Sequence, residues 1–274
     1  MLLFSFLLVA LFAACTLSIN PIYPIGIADP HIHVFNNTFY LFATHDFASN
    51  NTGFLMKDWW SYSSPDMIVW TRQTILNPQM TPANPSKYDE CWATDAAVRN
   101  GVFFWYLSLG QDEIGVMRGP SPVGPWESPL SIPLVTSAES GILKSQMRDP
   151  CAFTDDDGEV YLIAGTFTYY IARFNEDMIS FAETFKVIQV NKQQGPYGNS
   201  TDDKPFLHKA GGIYYRKFLQ MLHCGQVYLF ITPQELNVLC THSLTPPPPH
   251  TPHPKSHGVV SMQHHKQFMV HIPM

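Results

Sequence analysis

The chain has 274 residues, a formal net charge of −6 and an aromatic content of 14%. This length suits one sizeable domain or two small ones. Only 16 residues are Lys or Arg and no basic run occurs, which argues against a nucleic-acid partner. Many aromatic residues together with 23 prolines are typical of short strands joined by turns.

The N-terminal segment, residues 1–18, is apolar and ends in small residues, which predicts a secretory signal peptide. The alternative is a membrane anchor, but the apolar run is short for a span of about 20 residues. We therefore expect a secreted, extracellular protein that has no membrane contact after cleavage. Three Asn-x-Ser/Thr sequons, at Asn36, Asn50 and Asn199, fit a glycoprotein.

A repeat follows the leader. Four stretches each begin with an aspartate and run 11, 11, 12 and 11 residues to a tyrosine: Asp29 to Tyr40, Asp95 to Tyr106, Asp149 to Tyr161 and Asp203 to Tyr214. The four aspartates are 66, 54 and 54 residues apart. A period of this size with a hairpin in each unit predicts an all-β chain folded as a β-propeller. Equivalent aspartates would then point at a common axis.

Turn signals support the hairpins, and no long stretch has a helical hydrophobic period. Aromatic segments after the hairpins, such as Met67–Trp70, Gly124–Glu127 and Met178–Phe181, are interpreted as outer strands that pack between blades. Four pairs are predicted to form two-residue hairpin turns, because their residues accept positive φ: Asn36-Asn37, Asn100-Gly101, Asp157-Gly158 and Gly211-Gly212.

The composition changes at residue 217. Residues 217–274 contain one acidic residue, eight of the 12 histidines and eight of the 23 prolines. We therefore assign residues 20–216 to a partial propeller of about three and a half blades and residues 217–274 to an aberrant or disordered tail. A propeller without its last blade exposes strand edges, so we expect the chain as written to be unstable or inactive.

Five motifs carry a family resemblance, and they are Ala28-Asp29-Pro30, Cys91-Trp92-Ala93-Thr94-Asp95, Gly119–Trp126, Arg148-Asp149-Pro150 and Asp203–Lys209. In this order and spacing they resemble glycoside hydrolase family 43, over about residues 20–216. The resemblance implies a five-bladed β-propeller. It also implies a glycosidase that hydrolyses arabinofuranosides and xylosides in polysaccharides or oligosaccharides with inversion.

The resemblance assigns three catalytic carboxylates. Asp29 would be the general base that activates water, Asp149 would orient the acid and tune its pKa, and Asp203 would be the general acid. The family commonly has Glu-Gly-Pro where this chain has Asp203-Lys204-Pro205. The shorter side chain reaches less far, and an adjacent ammonium would lower the pKa of the acid unless Lys204 points away. Asp202 is a nearby substitute.

Several further residues are candidates for substrate contacts. Trp92 is the expected sugar platform, with a blade-packing role as the alternative, and Asp95 is expected to be structural or substrate-orienting. Phe167 could line the same subsite. His31 and His33 are close to Asp29 and either could touch substrate, although strand histidines are more often surface residues. For the pair Trp59-Trp60, a rim subsite and a loop anchor remain equally open.

No organic cofactor and no metal site are expected. The cysteines form no Cys-x-x-Cys pair, and Asp155–Gly158 lacks the later Glu of a calcium loop. A structural calcium ion stays open, without traceable ligands. Cys91 and Cys151 are either a disulfide or two buried thiols. The expected partner is a carbohydrate substrate, and the protein is expected to be a monomer. The alternative function is a catalytically inactive, carbohydrate-binding propeller.

Overall fold

A computed structural model of the chain describes residues 26–46, 55–82, 90–139, 141–142, 146–166, 168–188, 204–221 and 227–229. Within these ranges the protein consists of β-strands, with a single 3-10 turn at Pro78–Met80. No helix in the described ranges has the length and apolar character needed to cross a bilayer. The predicted all-β class is confirmed.

The strands form four antiparallel sheets, each built from strands that follow one another in the chain. The first sheet contains β1 (Ile27–Phe35), β2 (Thr38–Asp46), β3 (Met56–Ser64) and β4 (Thr71–Leu76). The second contains β5 (Thr94–Arg99), β6 (Val102–Ser108), β7 (Glu113–Gly119) and β8 (Val135–Thr136). The third contains β9 (Cys151–Thr154), β10 (Val160–Ala164), β11 (Tyr169–Arg173) and β12 (Lys186–Ile188). The fourth contains β13 (Pro205–Ala210), β14 (Ile213–Met221) and β15 (Val227–Leu229).

The four sheets are blades of a propeller. Their first strands, β1, β5, β9 and β13, contact one another in that order, so each is the inner strand of its blade. Across the axis the ring of Phe206 in β13 lies 5.3 Å from the ring of His31 in β1. Three four-stranded blades and one three-stranded sheet are described, and this agrees with the predicted three and a half blades.

Three of the four predicted hairpin turns have the expected form. Asn36 and Asn37 have φ values of 49° and 60°, and the turns at residues 100–101 and 211–212 are also left-handed. The turn at Asp157-Gly158 is not a two-residue turn. There the connection runs from residue 155 to 159, and the Asp155 N–H donates to the Glu159 carbonyl at 2.9 Å. The longer turn leaves the Asp155 side chain to pair with Lys209 of the neighbouring sheet.

The outer strand of the first blade differs from the prediction. Residues 65–69 form a bend, in which the side chains of Met67 and Val69 are about half exposed, and β4 begins only at Thr71. An apolar run of four residues therefore did not mark a strand here. The Trp59-Trp60 pair, in contrast, belongs to strand β3 and is buried, so both residues are core rather than a rim subsite.

Aromatic side chains fill the spaces between blades, as predicted for Trp126 and Phe181. The segments of these two residues form isolated bridges, however, and the outer strands are β8 and β12. Trp105 is fully buried, and its ring lies 5.1 Å from Phe42 of the first blade and 5.3 Å from Trp126. Between the second and third blades Tyr106 stacks on Phe174, which stacks in turn on Phe181. These contacts fix neighbouring blades against each other and thereby fix the positions of their inner strands.

The remaining expectations meet the structure in two places. Cys91 and Cys151 are both buried free thiols, which decides between the two alternatives left open by the sequence. The proposed domain limit at residue 216 falls inside strand β14, which continues to Met221. Residues 1–18 and most of residues 217–274 lie outside the described residues, so the proposed domain limits stay predictions.

Candidate active site

Asp29 lies at a bulge in the inner strand of the first blade. The register of β1 against β2 shifts between Ala28 and His31, and Asp29 itself has a left-handed φ of 49°. A bulge re-aims the side chains next to it, and a non-glycine residue with positive φ is uncommon outside turns and functional sites. The pKa of Asp29 is raised, because burial outweighs the opposing effect of the nearby Lys204 ammonium.

Asp149 has a similar position in the third blade. It precedes β9 by two residues, is 4% exposed and has a φ of 59°. Its N–H donates to the hydroxyl of Ser108, at the end of β6 in the second blade, at 2.9 Å. The Arg148 guanidinium lies 4.0 Å from the Asp149 carboxylate, at the limit of an ion pair. The second blade thus holds the Asp149 backbone, and the adjacent Arg148 lies at its carboxylate.

Lys204 shows that the carboxylates converge. It comes directly before β13, is 7% exposed and interacts electrostatically with Asp29, Asp95 and Asp149. These partners belong to three different blades, so carboxylates from all three lie near the Lys204 ammonium. The sequence had placed Lys204 beside the candidate acid. In the structure its ammonium instead donates to the main-chain carbonyls of Asp29 and Thr94.

Asp95 is the centre of a buried hydrogen-bonded group that we call the Asp95 cluster: Asp95, His31 and His33. The carboxylate oxygen Oδ1 accepts from His31 Nδ1 at 2.9 Å and from His33 Nε2 at 2.5 Å. The N–H groups of Ala96 and Ala152 also donate to the carboxylate. Burial alone would raise the pKa of Asp95, but the two histidines outweigh it and hold the pKa below its usual range.

Two members of the Asp95 cluster, Asp95 and His31, are site residues predicted from the sequence. Asp95 is fully buried and ionised, and its oxygens are occupied by donors from three blades, which is the geometry of a positioning residue. His31 is 4% exposed and is therefore no surface residue. Burial lowers the pKa of His31 to about 4, so its ring is neutral at neutral pH.

Two imidazoles and a carboxylate are also a donor set used by zinc and related ions. In the Asp95 cluster the three ligand atoms lie within 4.8 Å of one another. The 2.5 Å separation of His33 Nε2 from Oδ1 is nevertheless a hydrogen-bond distance. Two ligands about 2.0–2.2 Å from one ion lie roughly 3 Å apart. We therefore describe a hydrogen-bonded cluster, and the expectation of no resident metal remains a prediction.

Asp46 is a carboxyl that the sequence did not single out. It ends strand β2, and its N–H donates to the carbonyl of Gly26, three residues before Asp29. Its Oδ1 atom is buried and has no hydrogen-bond partner among the described residues. Burial and the nearby Asp29 carboxylate raise the pKa of Asp46 to about 7. Strand pairing brings it to Asp29, because β2 ends where β1 begins.

Trp92 is half-buried and lies next to Arg148. Its carbonyl accepts from the Trp59 indole N–H at 2.6 Å, and the Arg148 guanidinium lies 5.8 Å from its ring centre. A partly exposed ring held in this way fits a sugar platform, although the sequence-based role is not tested by these contacts. Two other candidates, the acid Asp203 and Phe167, lie outside the described residues.

Fold and site together define a β-propeller with an acidic axial site. The chain belongs to the glycosyl hydrolases family 43, whose family model matches residues 18–270. This confirms the family suggested by the five motifs. The match also runs on beyond the limit proposed at residue 216 and into the compositionally different C-terminal segment.

Individual relatives agree with the family. The chain is 30% identical over 220 residues to an arabinoxylan arabinofuranohydrolase of Bacillus subtilis (strain 168), covering 70% of this chain and 42% of that protein. It is 30% identical over 213 residues to a beta-D-galactofuranosidase of Aspergillus niger, covering 73% and 58%. The chain thus spans about half the length of the curated relatives it matches.

Solved structures share the fold. An alpha-L-arabinofuranosidase of Clostridium thermocellum aligns with a TM-score of 0.60 and 26% identity, covering 75% of this chain and 68% of that chain. A beta-xylosidase/alpha-arabinofuranosidase from a compost metagenome, solved with xylotriose in a calcium-free form, aligns with a TM-score of 0.63 and 24% identity, covering 79% and 77%. These likenesses confirm the propeller.

Proposed function

We propose that this chain carries the active site of an inverting glycosidase that cleaves arabinofuranosyl or xylosyl bonds in oligosaccharides or polysaccharides. The observation that carries the proposal is the convergence of Asp29 and Asp149 on Lys204. A site with paired carboxyls is what hydrolysis of a glycosidic bond requires. The names of the relatives, which are arabinofuranosidases, xylosidases and a galactofuranosidase, support the substrate class.

In this mechanism Asp29, as a carboxylate, takes a proton from the water that attacks the anomeric carbon. A carboxylic acid protonates the leaving oxygen on the opposite face, and we assign this role to Asp203, with Asp202 as the alternative. Asp149 orients the acid. Inverting enzymes hold base and acid roughly 6.5–9.5 Å apart to leave room for the water. Trp92 would pack against the apolar face of the sugar, close to His31, Asp95 and Phe167.

The decisive test uses three aryl glycosides: α-L-arabinofuranoside, β-D-xyloside and β-D-galactofuranoside. The last is included because of the Aspergillus niger relative. If the chain folds despite the incomplete propeller expected from its sequence, turnover of at least one glycoside should follow, with inversion visible by NMR in the first sugar anomer released. Asp29→Asn should lower kcat by about 10²–10⁴-fold, because it removes the base. Asp156→Asn is the control, because its side chain is 78% exposed at a hairpin tip.

Two results would contradict the proposal. Binding to xylan or arabinan without turnover would favour the catalytically inactive, carbohydrate-binding alternative. Unchanged turnover in Asp29→Asn or Asp149→Asn would show that the axial carboxyls are not the catalytic groups. Retention of configuration would exclude the single-displacement mechanism, although not the glycosidase.

We further propose that the protein is secreted, N-glycosylated and monomeric and needs no organic cofactor. Asn36 supports glycosylation, because it is exposed at the tip of the β1–β2 hairpin, whereas Asn50 and Asn199 lie outside the described residues. Expression in a eukaryotic host should release a protein without residues 1–18 into the culture medium. Treatment with an enzyme that removes N-linked glycans should lower the mass of this protein. Light scattering would check the monomer, and dialysis against a chelator would check whether a metal ion contributes.

A further inference from the structure

Lys204 connects three blades through its side chain. It enters the axis from the start of the fourth sheet, and its Nζ donates to the Asp29 carbonyl at 2.6 Å and to the Thr94 carbonyl at 2.7 Å. These acceptors belong to the inner strands of the first and second blades. A single ammonium thus links residues that are 175 and 110 positions away in the chain.

The charge of Lys204 is costly at this position. Burial lowers the pKa of its ammonium, and the carboxylates of Asp29, Asp95 and Asp149 oppose that effect. Replacing a whole buried ion pair by apolar groups of similar volume is often neutral or stabilising, so a buried charge and its partners are weak evidence for a role in stability alone. The charge therefore points to a role in the chemistry of the site.

The contact to Asp29 is made at its least ordinary point. Asp29 combines a left-handed φ of 49° with the register shift in β1. Such a conformation costs of order 1 kcal/mol and persists only where the surroundings hold it. Lys204 supplies one such restraint from the opposite side of the axis, since its donor fixes the direction of the Asp29 carbonyl. The same ammonium attracts the Asp29 carboxylate.

We propose that Lys204 is a positioning residue for Asp29. Lys204 anchors the bulged backbone of this base, and its positive charge favours the carboxylate form of the base. This inference rests on the role of Asp29 in the proposed function.

The test compares two uncharged variants, Lys204→Met and Lys204→Gln. Selective ¹³C labelling of aspartate, with Asp29→Asn used to assign the signal, gives the pKa of the Asp29 carboxyl by NMR titration without any need for turnover. We expect both variants to raise that pKa by on the order of one unit, since an opposite charge typically lowers a carboxyl pKa by 1–3 units. The acidic limb of the pH profile of kcat/KM should move to higher pH by the same amount as the pKa of Asp29. In both variants kcat should fall by a larger factor than KM rises. Lys204→Arg should restore part of the loss.

A matched control is Lys209→Met in the same strand, β13. Lys209 pairs with Asp155 and Asp156 at a hairpin of the third blade. Its replacement should therefore change neither the pKa of Asp29 nor the acidic limb of the kcat/KM profile. A purely structural clamp predicts another pattern: Lys204→Gln, which keeps a donor, would titrate like the wild type. That result, or an unchanged pKa in Lys204→Met, would overturn the proposal.

The two proposals fail in different ways. If the wild type hydrolyses none of the three glycosides, the proposed glycosidase function fails, whereas the NMR titration still decides whether Lys204 controls Asp29. If Lys204→Met does not fold, Lys204→Gln and Lys204→Arg give the same comparison of charge and donor. Turnover in the wild type with an Asp29 pKa that ignores all three substitutions would leave the function intact and remove Lys204 from it.

Discussion

At the scale of single residues, the site is decided by carboxyls placed in unlike surroundings. Asp95 accepts hydrogen bonds from His31, from His33 and from two main-chain N–H groups, which favours its ionised form. Asp46 has one buried oxygen with no partner in the described part of the chain, and its pKa is raised to about 7. The fold thus favours the ionised form of Asp95 and the protonated form of Asp46.

Asp46 gives a prediction with a defined sign. Its pKa is 3.8 in the unfolded chain and about 7 in the fold, so the unfolded state releases the proton first as the pH rises. Asp46 therefore costs stability progressively between about pH 4 and pH 7. The Asp46→Asn variant should be more stable than the wild type at pH 8, on the order of 2 kcal/mol, and the difference should shrink at pH 5.

Urea unfolding of both proteins at the two pH values checks this. His31 contributes the opposite slope, because its pKa is lowered to about 4 and the unfolded chain binds the proton first as the pH falls. That contribution is common to the wild type and the variant, so it cancels in the comparison. A gap that widens on acidification would show that Asp46 is not a buried, protonated carboxyl.

At the scale of secondary-structure elements, strand β6 joins the first two blades through one side. Trp105 in this strand is fully buried between Phe42 and Trp126, whereas Val102 at its beginning is 38% exposed. The alternation of strand side chains places aromatic residues of one strand against both neighbouring blades. Aromatic packing between blades therefore contributes to holding the inner strands in register around the axis.

We expect Trp105→Ala to lower the free energy of unfolding by about 3–5 kcal/mol, since it leaves a cavity in a site that cannot collapse. Val102→Ala in the same strand should change it by less than about 0.5 kcal/mol. Denaturant unfolding followed by tryptophan fluorescence and circular dichroism measures both. Similar losses in the two variants would mean that burial of Trp105 is not what secures the contact between blades.

At the scale of the whole molecule, Asp95 fastens three blades at one point. It lies in the second blade, accepts from His31 and His33 of the first, and accepts from the Ala152 N–H of the third. Removal of a buried charge leaves its donors without acceptors, which is costly in a low-dielectric interior. The arrangement of blades around the axis thus depends on a side chain that the sequence presents as one aspartate among several.

Asp95→Ala is therefore expected to destabilise the protein by about 3–5 kcal/mol and to broaden the unfolding transition. Asp156→Ala, at an exposed hairpin tip, is the matched control and should have little effect. Calorimetric and denaturant unfolding distinguish the two. A loss below about 1 kcal/mol in Asp95→Ala would mean that the blades are joined by their aromatic contacts alone.

The sequence by itself determined the repeat and hence the fold. The spacing of Asp29, Asp95 and Asp149 and three left-handed hairpin turns predicted inner strands, because turn geometry and strand periodicity are local properties of the chain. The bend at residues 65–69 and the buried pair Trp59-Trp60 were not predictable in this way. An apolar run has the same composition in a strand, in a bend and at a rim.

Only the tertiary structure decided what surrounds each carboxyl. His33 could have been placed with His31 by its spacing of two, which puts both on one face of a strand. The approach of Asp46 to Asp29 and the direction of the Lys204 side chain had no such signal. The contact between Lys204 and Asp29 joins residues 175 positions apart. No local sequence pattern indicates which blade the side chain of a lysine will contact. Burial and charge at the axis exist only after the blades have packed.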